Sequence, residues 1–200
     1  ESSIRVIYQH ESNMIELESQ IYDLDFTDQS YIKSCNIVFL IPEQANPMAK
    51  YFVYYDSEPK EIPDYENRVD IQESDYYYEP LQGYTLSSKF FKITEGNAIV
   101  YGISYDGQAY DERAIQEVIK LKVGTKELIP ENYDQIASFY FSYWWKKADK
   151  THSFNSNEKL ISKKILIDGN LMVKCGIESE SEEGHLKTKA IYKYYYNPCE

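Results

Sequence analysis

Met14-Ile15-Glu16-Leu17-Glu18-Ser19-Gln20-Ile21-Tyr22-Asp23-Leu24 decides the fold class. Ile15, Leu17 and Ile21 fall on one side of a two-residue repeat, and Glu16, Glu18 and Gln20 fall on the other. That period is the one a strand needs to bury one face and wet the other; a helix would space its apolar residues by three and four. The reading predicts a strand over 14–24. Strands are likewise predicted over 4–8, 36–41, 50–55, 76–81, 84–93, 97–105, 118–123, 136–145, 160–167, 170–177 and 186–196, runs rich in branched and aromatic side chains.

Punctuation agrees. Pro42, Pro47, Pro59, Pro63, Pro80, Pro130 and Pro198 lie between these runs or at their ends, where a missing N–H does least harm. Asp106-Gly107 and Asp168-Gly169-Asn170 read as tight turns whose glycines take positive φ, and 178–185 reads as a polar hairpin loop. Helix competes in two places. Asp111 can cap a short helix carrying Ala114, Ile115, Val118 and Ile119, whereas 132–145, despite helical spacing at Ile136, Phe139, Tyr140 and Tyr143, reads better as strand. The expected fold is all-β: one antiparallel β-sandwich domain over 1–200, jelly-roll-like, with at most one short helix. Residues 56–75 form its loosest connection.

The chain has 200 residues and a net charge of −12, and 21 of its residues are tyrosine. Such an acidic balance argues against nucleic acid as a partner, since phosphate binding needs a basic face. No apolar run approaches the ~20 residues of a membrane-spanning helix, and the aromatic and branched content excludes disorder. Charge is unevenly spread: residues 51–80 carry nine acids against Lys60 and Arg68, and 144–176 carry seven lysines against three acids. Mutual offset within one fold is the ordinary reading of that pattern. Head-to-tail steering between copies is the functional one.

Signatures of catalysis are sparse. There is no Gly-x-Ser-x-Gly and no Gly-x-Gly, and Cys35, Cys175 and Cys199 have neither zinc spacing nor a nearby histidine. His10, His152 and His185 stand far apart in polar stretches. Asp23, Asp25 and Asp28 supply hard oxygen ligands that suit a structural calcium ion, the one cofactor the sequence suggests, although the turn glycine and twelfth-position glutamate of an EF-hand are missing. Asp106, Asp111 and Glu112 around a turn suggest the same chemistry.

Aromatic triplets say more. Tyr76-Tyr77-Tyr78, Tyr143-Trp144-Trp145 and Tyr194-Tyr195-Tyr196 must show rings on both faces of any strand they occupy. One face can pack in a core; the other stiffens the sheet through cross-strand contacts, stacks on sugar rings, or anchors an interface. Ile4, Val6 and Tyr8 belong to a short strand near the chain start, suited to pairing within its own domain or to addition onto a neighbour's sheet. The expectation is a non-catalytic structural or interaction protein, extracellular or at the cell surface, which self-associates or binds another surface protein. The first residues, lacking Met, fit a mature exported chain. A carbohydrate-binding or carbohydrate-processing sandwich, with a glycan as partner, is the alternative. No family pattern is matched closely enough to name.

Overall fold

The computed structural model describes residues 3–27, 31–56, 58, 60–81, 84–107, 118–123, 126–127, 142–143, 153–154, 159–181, 184 and 186–198, with the backbone alone over 76–81, 84–88 and every described stretch from 104 to 154. The described elements are all β, without helix, and their sheets are antiparallel. Contacts group the chain into two compact units. One comprises Glu1–Arg68 and Gly169–Met172, the other Val69–Asp168 and Val173–Glu200.

In the first unit, β1 (Arg5–His10) and β2 (Asn13–Leu17) form a hairpin whose tight turn holds Glu11 at φ 54°. β3 (Ser19–Phe26) and β4 (Ile32–Phe39) form a second hairpin, and β5 (Lys50–Tyr54) completes a sheet of order β2-β1-β5. The single strand predicted over 14–24 is thus two strands, interrupted at Glu18. There the carbonyl accepts from Leu40 N (3.0 Å), and the carboxylate takes a two-pronged contact from Arg68 (Nε 3.1 Å, Nη2 2.8 Å). Groups committed to other partners end the ladder. Alternation still sets the core: Val6, Tyr8 and Leu17 are buried, with Ile37, Phe39, Ala45 and Ala49 packed against them. The Tyr8 ring meets Tyr51 edge-on at 5.7 Å, and its hydroxyl accepts from Asn46 N (3.1 Å).

Gln20 closes this unit against residues arriving about 150 positions later. Its Oε1 accepts from Leu171 N (2.9 Å) and Met172 N (2.7 Å), and its Nε2 donates to Met172 O (2.9 Å). A side-chain amide here replaces a strand's peptide group. Gly169 is needed for approach rather than for the positive φ predicted of it: any Cβ would overlap the Gln20 amide. Arg68 N donates to Asn170 O (2.9 Å), while the buried Asn170 Nδ2 has no hydrogen-bond partner among the described residues.

The second unit contains β6 (Asp70–Leu81), β7 (Tyr84–Glu95), β8 (Ala98–Gly107), β9 (Val118–Val123) and β10 (Lys126–Glu127), a meander of order β10-β9-β8-β7-β6. β11 (Ser142–Tyr143) pairs with β12 (Ser153–Phe154), and β13 (Lys159–Asp168), β14 (Met172–Glu180) and β15 (Lys187–Tyr195) form a three-stranded sheet. Of the two possible helices, 118–123 and 142–143 are strand; the remaining residues of both stretches lie outside the described residues. Asp106-Gly107 extends β8 instead of turning. The turn between β7 and β8 is Gly96-Asn97, with Gly96 at φ 55°. Val69, Ile71, Phe91, Ile93, Val100, Ile103, Val173, Cys175 and Ile177 form one buried core.

Gln20→Met keeps the side-chain volume and removes three hydrogen bonds, leaving two buried N–H groups unsatisfied. Urea unfolding should show a loss of about 2–4 kcal/mol. Gly169→Ala should destabilise the wild type clearly and the Gln20→Ala background far less, because the overlapping amide is then gone.

Candidate functional site

Strand pairing decides what the residues near the chain start can do. β1 is the middle strand of its sheet: Val6 pairs with Leu17 and Val53, and Tyr8 pairs with Ile15 and Tyr51. Val6 and Tyr8 are buried, and Ile4 lies just before the strand. A neighbour's strand could join β1 only after one of these pairings opened. The outer positions belong to β2 and β5. Along β5, Tyr51, Val53 and Tyr54 are all exposed, as are Met14 and Ile15 of β2.

The aromatic triplets divide. Tyr194 and Tyr196 pack against the second unit's core while Tyr195 is exposed, the two-faced arrangement that alternation demands. The Tyr194 ring stacks on Tyr101 (6.1 Å, 22°) and its hydroxyl donates to Glu95 Oε1 (2.9 Å). Burial pushes Tyr101 up to about 12 and raises Tyr192 and Tyr194, the last also through its bond to Glu95. Burial likewise holds the Cys175 thiol at about 12, protonated and unreactive at neutral pH. Tyr76, Tyr77 and Tyr78 lie on β6, paired with Ser88, Ser87 and Leu86 of β7. Tyr143 pairs with Ser153. Trp144 and Trp145 lie outside the described residues, as do Asp28, Asp111, Glu112, His152, His185 and Cys199.

Asp23 and Asp25 both lie on β3, but the register shifts between Tyr22 and Asp25, and Asp23 sits at φ 50°. Asn36 Nδ2 reaches Asp23 at 3.4 Å and Lys33 reaches Asp25 at 3.5 Å. Among the described residues, no three His, Cys, Asp or Glu side chains converge as metal ligands.

Two surfaces stand out by charge. The first is the segment between Tyr54 and Asp70, where Asp56, Glu58, Glu61, Asp64 and Glu66 are exposed and Ile62 is 77% exposed. From Glu61 to Arg68 it is held by several contacts. Arg5 Nη2 donates to Glu61 O (2.6 Å), the Tyr65 hydroxyl donates to Glu16 Oε1 (2.6 Å), and Arg5 Nε lies 3.2 Å from Glu16. Arg68 bridges Glu18 and Glu66. Burial, with the bond to Glu16, lifts Tyr65 to about 12, which keeps the hydroxyl a donor.

The second surface is the outward side of β13-β14-β15. Val173, Cys175, Ile177 and Ser179 turn inward, so Lys174, Gly176, Glu178 and Glu180 turn outward. Register places Lys164 opposite Gly176, Ser162 opposite Glu178 and Lys159 opposite Glu180. β15 alternates in step, exposing Lys187, Lys189, Ile191, Lys193 and Tyr195. The Cδ1 atoms of Leu166 and Ile191 close over Gly176, 3.2 Å from where a Cβ would sit. Lys189 pairs with Glu178 (2.9 Å), and this bond with that from Ser162 holds the Glu178 carboxyl below its usual range. The basic window at 144–176 caught only part of this surface. The missed signal was the period-two spacing of Lys187, Lys189 and Lys193.

No protein-family model, curated protein or solved structure matches the chain.

Asp168 provides a pH test. Burial and the neighbouring Asp70 charge raise its pKa, partly offset by a hydrogen bond from the Ile71 backbone. A raised carboxyl gives stability that is present at acid pH and lost as pH rises through the folded-state value. Asp168→Asn should therefore raise the Tm at pH 7, and this gain should vanish as pH falls below the usual carboxylate range.

Proposed function

We propose that this chain is a structural, non-catalytic interaction protein whose copies associate through an outer strand. β5 carries the reading. It is an outer strand of its sheet, and Tyr51, Val53 and Tyr54 project exposed from its two faces. Protein edges are ordinarily guarded by charge, proline or a bulge, and within β5 only Lys50 answers that description. Strand addition would satisfy the outer backbone groups and cover the apolar side chains together. The surplus of tyrosine fits the same role, since its ring tolerates water before association and buries well after it.

Sedimentation velocity over about 1–500 µM tests the reading, since weak but specific association lies in this range. Concentration-dependent oligomers are expected. Val53→Lys together with Tyr54→Lys should weaken association by about tenfold or more while leaving the Tm nearly unchanged, because both side chains are already exposed. A chain that remains monomeric throughout, or one whose association ignores both changes, would overturn it.

A further inference from the structure

We infer that the outward face of β13-β14-β15 is a docking surface for the acidic segment 60–66 of a second copy, a head-to-tail contact that deepens the proposed assembly role and rests on it. The two surfaces match in charge and in apolar content. The sheet face carries Lys159, Lys164, Lys174, Lys187, Lys189 and Lys193 against Glu178 and Glu180, for a net +4. Residues 60–66 carry Glu61, Asp64 and Glu66 against Lys60, for a net −2, and Glu66 is already paired with Arg68, so Glu61 and Asp64 are the charges offered to a partner. On the lysine face Leu166 and Ile191 meet over Gly176, and Tyr195 stands at the end of β15, each around two-fifths exposed. On the acidic segment Ile62 stands out between Glu61 and Asp64. An apolar anchor ringed by complementary charge is how specific interfaces are built.

Preorganisation supports the segment as the inserting element. Arg5 fixes the Glu61 carbonyl, and Tyr65 and Arg68 fix the residues that follow. Pro63 disfavours helical backbone at Ile62, whose side chain is exposed. Little ordering is then needed on docking. Different patches meet in this contact, so it repeats from copy to copy and closes only if the rotation permits a ring.

The net charge of −12 makes salt dependence diagnostic. At about 0.01 M salt the screening length is near 30 Å, so whole copies repel; at about 0.15 M it is near 8 Å, and only charges in contact count. At about 1 M those contacts are screened as well. Docking should be strongest at the intermediate concentration, whereas a purely apolar contact through β5 should strengthen steadily with salt.

The decisive experiment is charge reversal, read by sedimentation on the full chain. Glu61→Lys with Asp64→Lys should weaken association about tenfold, and so should Lys187→Glu with Lys193→Glu; all four changes in one chain should restore it to within about threefold. Association unaffected by either pair, or weakened further by their combination, overturns the inference. If the β5 changes abolish association while the charge reversals are silent, the assembly reading stands and this one falls. A wild type that stays monomeric, with reversals changing only its Tm, puts the charges to use inside one chain and also overturns it.

Discussion

The first unit depends on the amide of Gln20. Two of its hydrogen bonds are accepted from Leu171 and Met172 and a third is donated to Met172, so four residues from far along the chain become part of a small β fold. Buried peptide groups must find partners, and at Leu171 and Met172 the glutamine supplies them. Everything nearby accommodates that bond set. Gly169 has no side chain to displace the amide, Asn170 receives Arg68 N, and Arg68 in turn holds Glu18, where β2 ends and β3 begins. Residues 169–171 also join β13 to β14. The chain therefore passes between its two units at 68–69, 168–169 and 172–173, and the first unit is complete only after most of the chain exists. Contacts of such long sequence separation carry a high loop-closure entropy and imply slow folding.

Tyrosine and charge serve two purposes in this molecule. Inside the second unit, rings such as Tyr101 and Tyr194 stack at the margin of the core, with a hydroxyl turned to Glu95. A residue with a polar tip suits the border of a core, and this accounts for part of an unusual composition without any ligand. On β5, Tyr54 is exposed, and Tyr51 is exposed while its ring still meets Tyr8. Charge behaves similarly: Lys163 reaches Glu73 and Arg68 reaches Glu18 within their units, while Glu61, Asp64, Lys159, Lys164 and Lys187 are exposed.

Most strands were legible because alternation is a local property. β9 matches its predicted limits, and no end of β1, β5 or β15 differs from its predicted limit by more than two residues. The errors have physical causes. Alternation runs through Glu18 unbroken, since the change of sheet there depends on Leu40 and Arg68, which are remote in sequence. β6 starts at Asp70, inside a stretch whose charge disguised it; the partner strand, β7, stabilises it from across the sheet. Gly169 needs to be glycine, but for a property other than the one its dipeptide suggests. Backbone conformation can be guessed from a dipeptide, but close approach by Gln20 cannot. The lysine surface was half visible, because a window of consecutive residues counts both faces of a strand together.

Period-two patterning, turn residues and β-branched content determined on their own that this chain is all-β and antiparallel, because each strand chooses its buried face from its own alternation. Composition determined that its surface is acidic and its aromatics too many for one side of each strand. Tertiary structure alone decided which strands are inner and which are outer. It closed both edges of β1, left β5 at a margin, gathered lysines from three strands onto one face, and brought Leu171 and Met172 to Gln20. These outcomes are set by pairing between distant segments, and pairing is a choice among partners that no single segment encodes.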